Sequence, residues 1–256
     1  MSGTAVEMKD AGARTRAVVL TTQRTGSTFL VDCLASHPQI ECAGEILIGL
    51  PDTPRPQYRG ALRPVVKLAR FAWSGAWLPG LRMERFYSRG TAEVRVFKAM
   101  YNHLANPFTL RYLRQHREIR ILHLQRHNLL KVHVSKLLMP KRARVQADRP
   151  VEIVRIHVDP AEAVAALRRA RSQHERFDRL FEDHARLPIT YEELFDRQYL
   201  RADTAAKVCD FLGVERYPMQ SHLVKLNPES LRDIVTNYEE LAAAVSRSEF
   251  ADMLDP

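Results

Sequence analysis

Short apolar runs alternate along the chain with stretches whose apolar positions follow a helical period. The runs AVVLTT (17–22), EVRVFKAM (93–100) and IRILHL (119–124) are typical of buried parallel strands. A further short strand is predicted within HPQIECAGE (37–45). From Ser27 the apolar side chains recur on one helical face. Strands that alternate with helices predict an α/β fold, a central parallel sheet flanked by helices.

Most of the remaining helices are predicted from residues that commonly cap helix ends. Asn128 and Asp159 each precede a helical pattern, and the proline after Asp159 favours the first helical position; this second helix is predicted to reach about His184. RLPITYEEL predicts a strand followed by a helix start, and TAAKVCDFLGV predicts a helix that ends at Gly213. The segment after Asn227 predicts one C-terminal helix.

We expect a disordered leader at 1–16 and a single domain at 17–256. Within that domain, 51–90 contains five prolines and both tryptophans, and we expect it to form irregular helices and loops that cover the substrate. The basic segment 140–150 is expected to be a mobile loop.

The charge balance narrows the class of ligand. The chain carries 39 Lys and Arg against 30 Asp and Glu, a net charge of +9, which suits a polyanionic ligand, an acidic polymer or a membrane surface. The three cysteines, Cys33, Cys42 and Cys209, have no C-x-x-C spacing, and an odd number argues against a disulfide framework. We therefore expect a reducing, cytoplasmic location. No apolar run approaches the ~20 residues of a membrane span, and the first residues lack the apolar region of a signal peptide.

The first candidate site follows the first strand. A turn at Gly26 leads into a helix, so backbone N–H groups and the positive end of the helix dipole point toward one spot. Ser27 and Thr28 add hydroxyl groups there, and Arg24 adds a guanidinium. This arrangement predicts a phosphate site; the alternative is a capped turn with Arg24 in solvent.

A second candidate anion site follows the strand IRILHL. Arg126 lies at the end of this strand, and Ser135 lies on the next helix. Parallel strands end at the same edge of a sheet, so both side chains could serve an anion beside the first loop. Taken alone, they are also consistent with a surface arginine and an ordinary helical serine.

These motifs together resemble those of sulfotransferases that use 3′-phosphoadenosine 5′-phosphosulfate (PAPS). QRTGSTFL (23–30) resembles the family's 5′-phosphosulfate loop, and LQRHNLLKVHVS (124–135) resembles its 3′-phosphate motif. The nine-residue gap from Arg126 to Ser135, and arginine rather than lysine at position 24, are similar to bacterial trehalose and nodulation-factor sulfotransferases. Further similar blocks follow in the family's order: CAGEIL, VFKAMYNHL, ITYEELFDRQ, AAKVCDFLGV and NPESLRDIVTNYEEL.

The resemblance implies a P-loop-like sulfotransferase fold, PAPS as co-substrate and its product PAP. It implies that Arg24 bridges the sulfate and the 5′-phosphate, and that the 3′-phosphate is held by Arg126 and Ser135. Lys225 is a further expected cofactor contact, and Tyr191 is expected to be mainly architectural or an adenine neighbour, with Glu192 beside it. The loop residues implied to hold the 5′-phosphate are Thr25, Gly26, Ser27 and Thr28.

The acceptor hydroxyl needs a base. Glu45, in a Gly-Glu pair similar to the family's, is the leading candidate, and Lys98 is expected to contact the leaving phosphate or the acceptor. A salt-bridged Glu45 and an ordinary strand lysine are the structural alternatives. His103 and His127 are alternative bases. The ten histidines form no metal-binding motif, so no metal is expected.

Other functions predict different residues. A kinase or other nucleoside triphosphatase would place lysine in the loop directly before its serine or threonine, where this chain has Gly26. A non-catalytic binder of acidic polymers would use dispersed arginines, but no nucleic-acid module is present and no nucleic-acid partner is expected. The resemblance favours a sugar hydroxyl on a glycan or glycolipid, and a non-sugar alcohol of a natural product or lipid is the alternative acceptor. Trp73 or Trp77 could stack on a sugar ring or cover an acyl chain. The sequence does not indicate an oligomeric state.

Overall fold

The computed structural model describes residues 14–47, 79–145, 154–223 and 230–254, with 140–145 as backbone alone. Among these residues, no helix is both long enough and apolar enough to cross a membrane.

Five parallel strands form the central sheet in the order β2-β3-β1-β4-β5. The strand β1 pairs with β3 on one side and β4 on the other, with Thr21 aligned to both Met100 and Leu124. The residues that follow these three strands therefore meet at one edge. The strands are β1 (Thr15–Thr21), β2 (Ile40–Ala43), β3 (Val94–Met100), β4 (Arg120–Gln125) and β5 (Arg186–Thr190), and an antiparallel pair follows at β6 (Phe195–Asp196) and β7 (Tyr199–Leu200).

Helices connect these strands in the described part of the chain. They are α1 (Ser27–Ala35), α2 (Pro79–Ser88), α3 (Pro107–Gln115), α4 (Leu129–Val145), α5 (Pro160–Leu180), α6 (Ala202–Leu212), α7 (Leu231–Ile234) and α8 (Tyr238–Ser246). Single 3₁₀ turns lie at His103–Ala105, Tyr191–Glu193 and Ala251–Met253.

The buried apolar side chains divide into three clusters. One face of the sheet packs against α1 and α6, with Leu30 and Val208 at its centre. The opposite face packs against α2, α3 and the C-terminal part of α5, through residues such as Met83 and Phe177. The third cluster, called the helical cluster below, joins α4, α7 and α8 with the N-terminal half of α5; no sheet residue is among its described buried members.

The structure confirms the predicted α/β fold with its parallel sheet. The predicted capping residues are confirmed too. The Asn128 side chain accepts a hydrogen bond from the Lys131 N–H at 2.9 Å, and the Asp159 side chain accepts from two N–H groups at the start of α5. Gly213 ends α6 in the left-handed conformation, at φ 76°.

The single C-terminal helix was a wrong prediction. Val235 forms a parallel bridge with Ile156, so α7 ends at Ile234 and α8 starts at Tyr238. Two backbone hydrogen bonds of 2.9 Å to Ile156 hold this break, because they take the N–H of Thr236 and the carbonyl of Ile234 out of a continuous helix. The proposed cap at Asn227 lies outside the described residues.

Four predicted boundaries also change. The helix α4 continues through Pro140 to Val145, so 140–145 is helical rather than a loop; the proline removes one backbone donor without ending the helix. Residues 146–150 lie outside the described part, as do 1–13 of the proposed leader, and β1 starts at Thr15. Of the proposed covering segment 51–90, residues 79–88 form α2 and pack into the core, while 51–78 lie outside the described part. The helix α5 ends at Leu180, four residues before the predicted His184.

Candidate functional site

The loop after β1 is shaped by two left-handed residues. Arg24 has φ 66° and Gly26 has φ 77°, a conformation that costs energy for an arginine and little for a glycine. Left-handed residues within a turn direct successive N–H groups toward a common point, which forms a concave anion site. The helix α1 begins directly after it, and no side chain of the described residues caps its first turn. The loop therefore presents open N–H groups and a helix dipole to one spot.

The hydroxyl groups of this loop do not all face that spot. Thr25 is fully buried; its hydroxyl lies 2.6 Å from that of Thr21 and donates to the Thr22 carbonyl at 2.9 Å. Its side chain therefore fixes the loop to β1, and only its backbone N–H is available to an anion. Ser27 is buried at the start of α1, while Thr28 is exposed.

Gly26 is the tightest point of the loop. A Cβ atom there would lie 2.9 Å from Cδ2 of Tyr191 and 3.0 Å from Cδ1 of Leu194, besides imposing the left-handed backbone on an alanine. We expect Gly26→Ala to lower the free energy of unfolding by about 1–3 kcal/mol, because strain and overpacking add. Urea unfolding of the two proteins measures this difference.

Gly44→Ala is the matched control for that measurement. A Cβ atom at Gly44 would meet no atom within 4 Å. We expect its unfolding free energy to stay within about 0.5 kcal/mol of wild type, as for an unconstrained surface change. Equal stability of the two variants would contradict a close approach at Gly26.

The two predicted anion motifs lie side by side. Nε of Arg24 donates a hydrogen bond to Oγ of Ser135 at 2.7 Å, across 111 positions of sequence. Nη1 of Arg126 donates to the backbone carbonyl of Arg24 at 3.3 Å. The guanidinium of Arg126 is thus directed toward the glycine turn, and the predicted cofactor residues on β1, β4 and α4 form one cleft.

Arg126 is held against an aromatic ring. Its guanidinium carbon lies 4.0 Å from the centroid of the Tyr191 ring, which also contacts the loop at Gly26. Burial lowers the pKa of Arg126 below its ordinary value, although the group remains charged at neutral pH. Its Nε is buried without a hydrogen-bond partner in the described structure. A partly buried cation whose buried Nε has an unused hydrogen to donate favours an anionic ligand.

Glu192 plays a part that the sequence did not indicate. Its two carboxylate oxygens accept from the backbone N–H groups of His127 and Asn128, at 3.3 and 3.4 Å. Glu192 therefore fixes the backbone directly after Arg126. The available signal was the Tyr-Glu pair after β5, since β5 lies beside β4 in the sheet.

Glu45, Lys98 and His103 meet at the end of β3. Nζ of Lys98 lies 2.8 Å from Oε1 of Glu45, and Nε2 of His103 lies 3.4 Å from Oε2 of the same carboxylate. The Lys98 side chain is buried and the other two are nearly so. A carboxylate oxygen at this position can accept a proton from a hydroxyl group. The ion pair places Lys98 against Glu45, and both stay candidates for the acceptor side.

The hydrogen bonding of His103 disfavours its role as the base. Its Nδ1 accepts from the N–H of Met100 at 3.2 Å, which assigns the proton of a neutral ring to Nε2, facing Glu45. Burial, with a smaller contribution from Lys98, lowers the pKa of His103. The neutral ring thus has no lone pair left to take a proton. The other alternative base, His127, has an exposed side chain.

No family model and no curated protein matches the chain. Solved structures do match it. One of them is the crystal structure of a sulfotransferase from Alicyclobacillus acidocaldarius, with 19% sequence identity and a TM-score of 0.45; the match covers 95% of this chain and 98% of that one. A similarity this low assigns neither a family nor an activity to the chain.

Three of the predicted residues lie outside the part of the chain that the structure describes. They are Lys225, Trp73 and Trp77, and their expected contacts stay predictions. In the part of the chain that the structure describes, no group of three or more His, Cys, Asp or Glu residues is arranged to hold a metal ion.

A buried polar network beside the cleft was missed. The hydroxyl of Tyr101 lies 2.6 Å from Nε2 of His123, and Nδ1 of His123 lies 3.1 Å from Asp178, which also pairs with Arg186. The backbone N–H of Tyr101 donates to the carbonyl of Thr21 at 2.9 Å. The network therefore links β4 and α5 to the end of β1. The one sign of it in the sequence was His123, a polar residue within the apolar run IRILHL.

Proposed function

We propose that this protein transfers a sulfuryl group from PAPS to a hydroxyl group of a carbohydrate acceptor. The observation that carries the proposal is the 2.7 Å contact of Arg24 with Ser135, beside Arg126. This contact places the open N-terminus of α1 next to the cationic pocket formed by Arg126 and Ser135. A ligand with phosphate groups at two positions of one adenosine requires two such neighbouring anion sites. The order of motifs along the chain, which resembles that of bacterial carbohydrate sulfotransferases, favours a sugar as acceptor.

In this proposal, the two pockets hold the two ends of PAPS. The N–H groups from Thr25 to Thr28, with the hydroxyls of Ser27 and Thr28, bind the 5′-phosphate at the positive end of α1. Arg126 and Ser135 bind the 3′-phosphate, and the free Nε of Arg126 supplies a donor. The ring of Tyr191 fixes the Arg126 guanidinium and so sets its direction.

The transfer step follows from these positions. The acceptor oxygen forms a bond to sulfur while the bond from sulfur to the bridging phosphate oxygen breaks, and the released charge stays on the 5′-phosphate of PAP. Arg24 stabilises that charge electrostatically, because its planar guanidinium forms charged hydrogen bonds to phosphate oxygens. Glu45 takes the proton of the acceptor hydroxyl. Lys98 and His103 position the Glu45 carboxylate through their contacts with its two oxygens.

Two measurements test the proposal together. PAP, without any metal, is expected to raise the thermal midpoint of the full chain, and ATP with Mg²⁺ is expected to leave it unchanged. Labelled sulfate from PAPS is then expected to appear on a member of a panel of sugars, lipids and phenols. Stabilisation by ATP with Mg²⁺ alone would favour a kinase instead, and steeply salt-dependent DNA binding without PAP binding would favour a polymer binder.

Arg126→Ala is expected to weaken PAP binding by about 10- to 150-fold, because it removes charged hydrogen bonds to the 3′-phosphate. Adenosine 5′-phosphosulfate, which lacks that phosphate, is expected to bind both proteins about equally. Isothermal titration calorimetry measures both affinities.

Arg216→Ala serves as the matched control, since it removes one positive charge from an exposed ion pair with Asp210. PAP affinity is expected to be unchanged in this variant, as for other exposed pairs. Unchanged PAP affinity in Arg126→Ala would overturn the 3′-phosphate assignment.

A further inference from the structure

A groove separates α4 from α5 in the helical cluster. Its volume is about 730 Å³. From α4 it is lined by Leu129, Val132, His133 and Lys136, and from α5 by Ala166, Arg168, Arg169, Ala170, Ser172, Gln173 and Arg176. None of these described lining residues is acidic. The groove is separate from the phosphate loop, because Ser135 points from α4 toward Arg24 instead.

The groove is long and has an apolar floor. The residues on α4 recur at intervals of three and four from Leu129 to Lys136, and those on α5 do so from Ala166 to Arg176, so each set forms one continuous helix face. Ten residues of helix span ~15 Å, the length of about three sugar units. Leu129 and Val132 are buried beneath it. Such a floor suits the apolar faces of sugar rings, and the polar rim suits their substituents.

Two cationic side chains that line the groove have no ion-pair partner among the described residues. Arg168 pairs with Glu249 and Arg169 with Glu162, whereas no such contact is found for Lys136 or Arg176. Burial lowers the pKa of Lys136, and no carboxylate acts against that effect. Lys136 is half-buried and Arg176 is exposed beside it, and two neighbouring cations without a counter-charge favour an anionic group in the groove.

The groove lies next to residues that contact the end of β1. Lys136 follows Ser135, which bonds to Arg24, and Gln173 precedes His174. The His174 ring also contacts Tyr101, with ring centroids 5.9 Å apart. Tyr101 in turn bonds to Thr21 at the end of β1. A chain lying in the groove would therefore approach the sheet edge where the transfer takes place.

We propose that this groove holds the acceptor, an anionic carbohydrate chain whose carboxylate groups contact Lys136 and Arg176. This inference rests on the proposed sulfuryl transfer and deepens it by naming the acceptor class. The apolar floor accepts the ring faces, and Ser172 and Gln173 are available to bond sugar hydroxyl groups. An anionic lipid headgroup shares the charge but does not need an extended groove.

Binding to the full chain saturated with PAP tests this assignment without requiring transfer. The probes are an unsulfated chondroitin hexasaccharide, with one carboxylate per disaccharide, and a neutral hexasaccharide of N-acetylglucosamine. We expect the charged probe to bind at least about tenfold more tightly than the neutral one. The double variant Lys136→Ala, Arg176→Ala is expected to lose at least about tenfold in affinity for the charged probe and to keep its PAP affinity.

Arg232→Ala is the control for overall charge, since Arg232 on α7 pairs with Glu239 on α8 and does not line the groove. It is expected to bind the charged probe as wild type does. Equal binding of both probes, or equal binding by wild type and the double variant, would overturn the inference. So would binding to phosphatidylglycerol vesicles without binding to the hexasaccharide. Failure of the wild type to bind PAP would overturn the proposed function instead, which separates the two failures.

Discussion

Replacing Arg24 with alanine is expected to lower kcat for sulfuryl transfer by about 10²- to 10³-fold, the cost of losing one preorganised charge from a transition state. Arg24 lies between the phosphate loop and Ser135, where charge develops on the leaving phosphate in the proposed reaction. Arg24→Lys keeps the charge but loses the planar fork, so we expect kcat between those of the alanine variant and the wild type. Steady-state kinetics with labelled PAPS measures all three.

A glycine variant separates catalysis from loop stability. Arg24 has φ 66°, so Arg24→Gly relieves backbone strain while removing the same guanidinium. We expect its thermal midpoint to be at or above that of the wild type and its kcat to be as low as that of Arg24→Ala. Turnover near the wild-type rate in either Arg24→Gly or Arg24→Ala would contradict the electrostatic role of Arg24.

Glu45→Gln is expected to lower kcat by about 10²- to 10⁴-fold, because the amide retains the shape of the side chain and cannot accept the hydroxyl proton. PAP affinity is expected to change little, since Glu45 contacts Lys98 and His103 and is not assigned to either phosphate. Single-turnover rates measured from bound PAPS test the chemical step directly.

Two further measurements show whether a lower kcat of Glu45→Gln reflects lost chemistry or lost structure. Glu45→Gln leaves the buried Lys98 without its carboxylate partner, so the thermal midpoint of each variant is measured first. Glu45→Asp keeps the charge and moves it, and we expect its kcat to lie between the other two. A folded Glu45→Gln protein with wild-type single-turnover rates would make Glu45 a purely structural ion-pair partner.

The elements predicted from local patterns were the most reliable. The three apolar runs became β1, β3 and β4, and the capping signals at Asn128, Asp159 and Gly213 each marked a helix end. The break between α7 and α8 could not be read locally, because it depends on Ile156, about 80 positions away. The continuation of α4 past Pro140 likewise contradicts a local rule.

The position of the cleft could be predicted, because the carboxyl ends of parallel strands lie along one edge of the sheet. Arg24, Arg126 and Ser135 followed from that rule, and the structure brings them into contact. The inward hydroxyl of Thr25 did not, since side-chain direction within a turn is set by neighbours such as Thr21. The use of Glu192 to fix the chain after Arg126 was also hidden, because the contact joins residues more than 60 positions apart.

The helical cluster has its own buried interior, and its described members include no side chain from the sheet. Yet Ser135 belongs to α4 in that cluster, while Arg24 and Arg126 follow strands of the sheet. A bisphosphate bound between them, as proposed, would contact residues from both the helical cluster and the sheet. The dissociation rate of PAP would therefore depend on how firmly the helical cluster packs against the sheet.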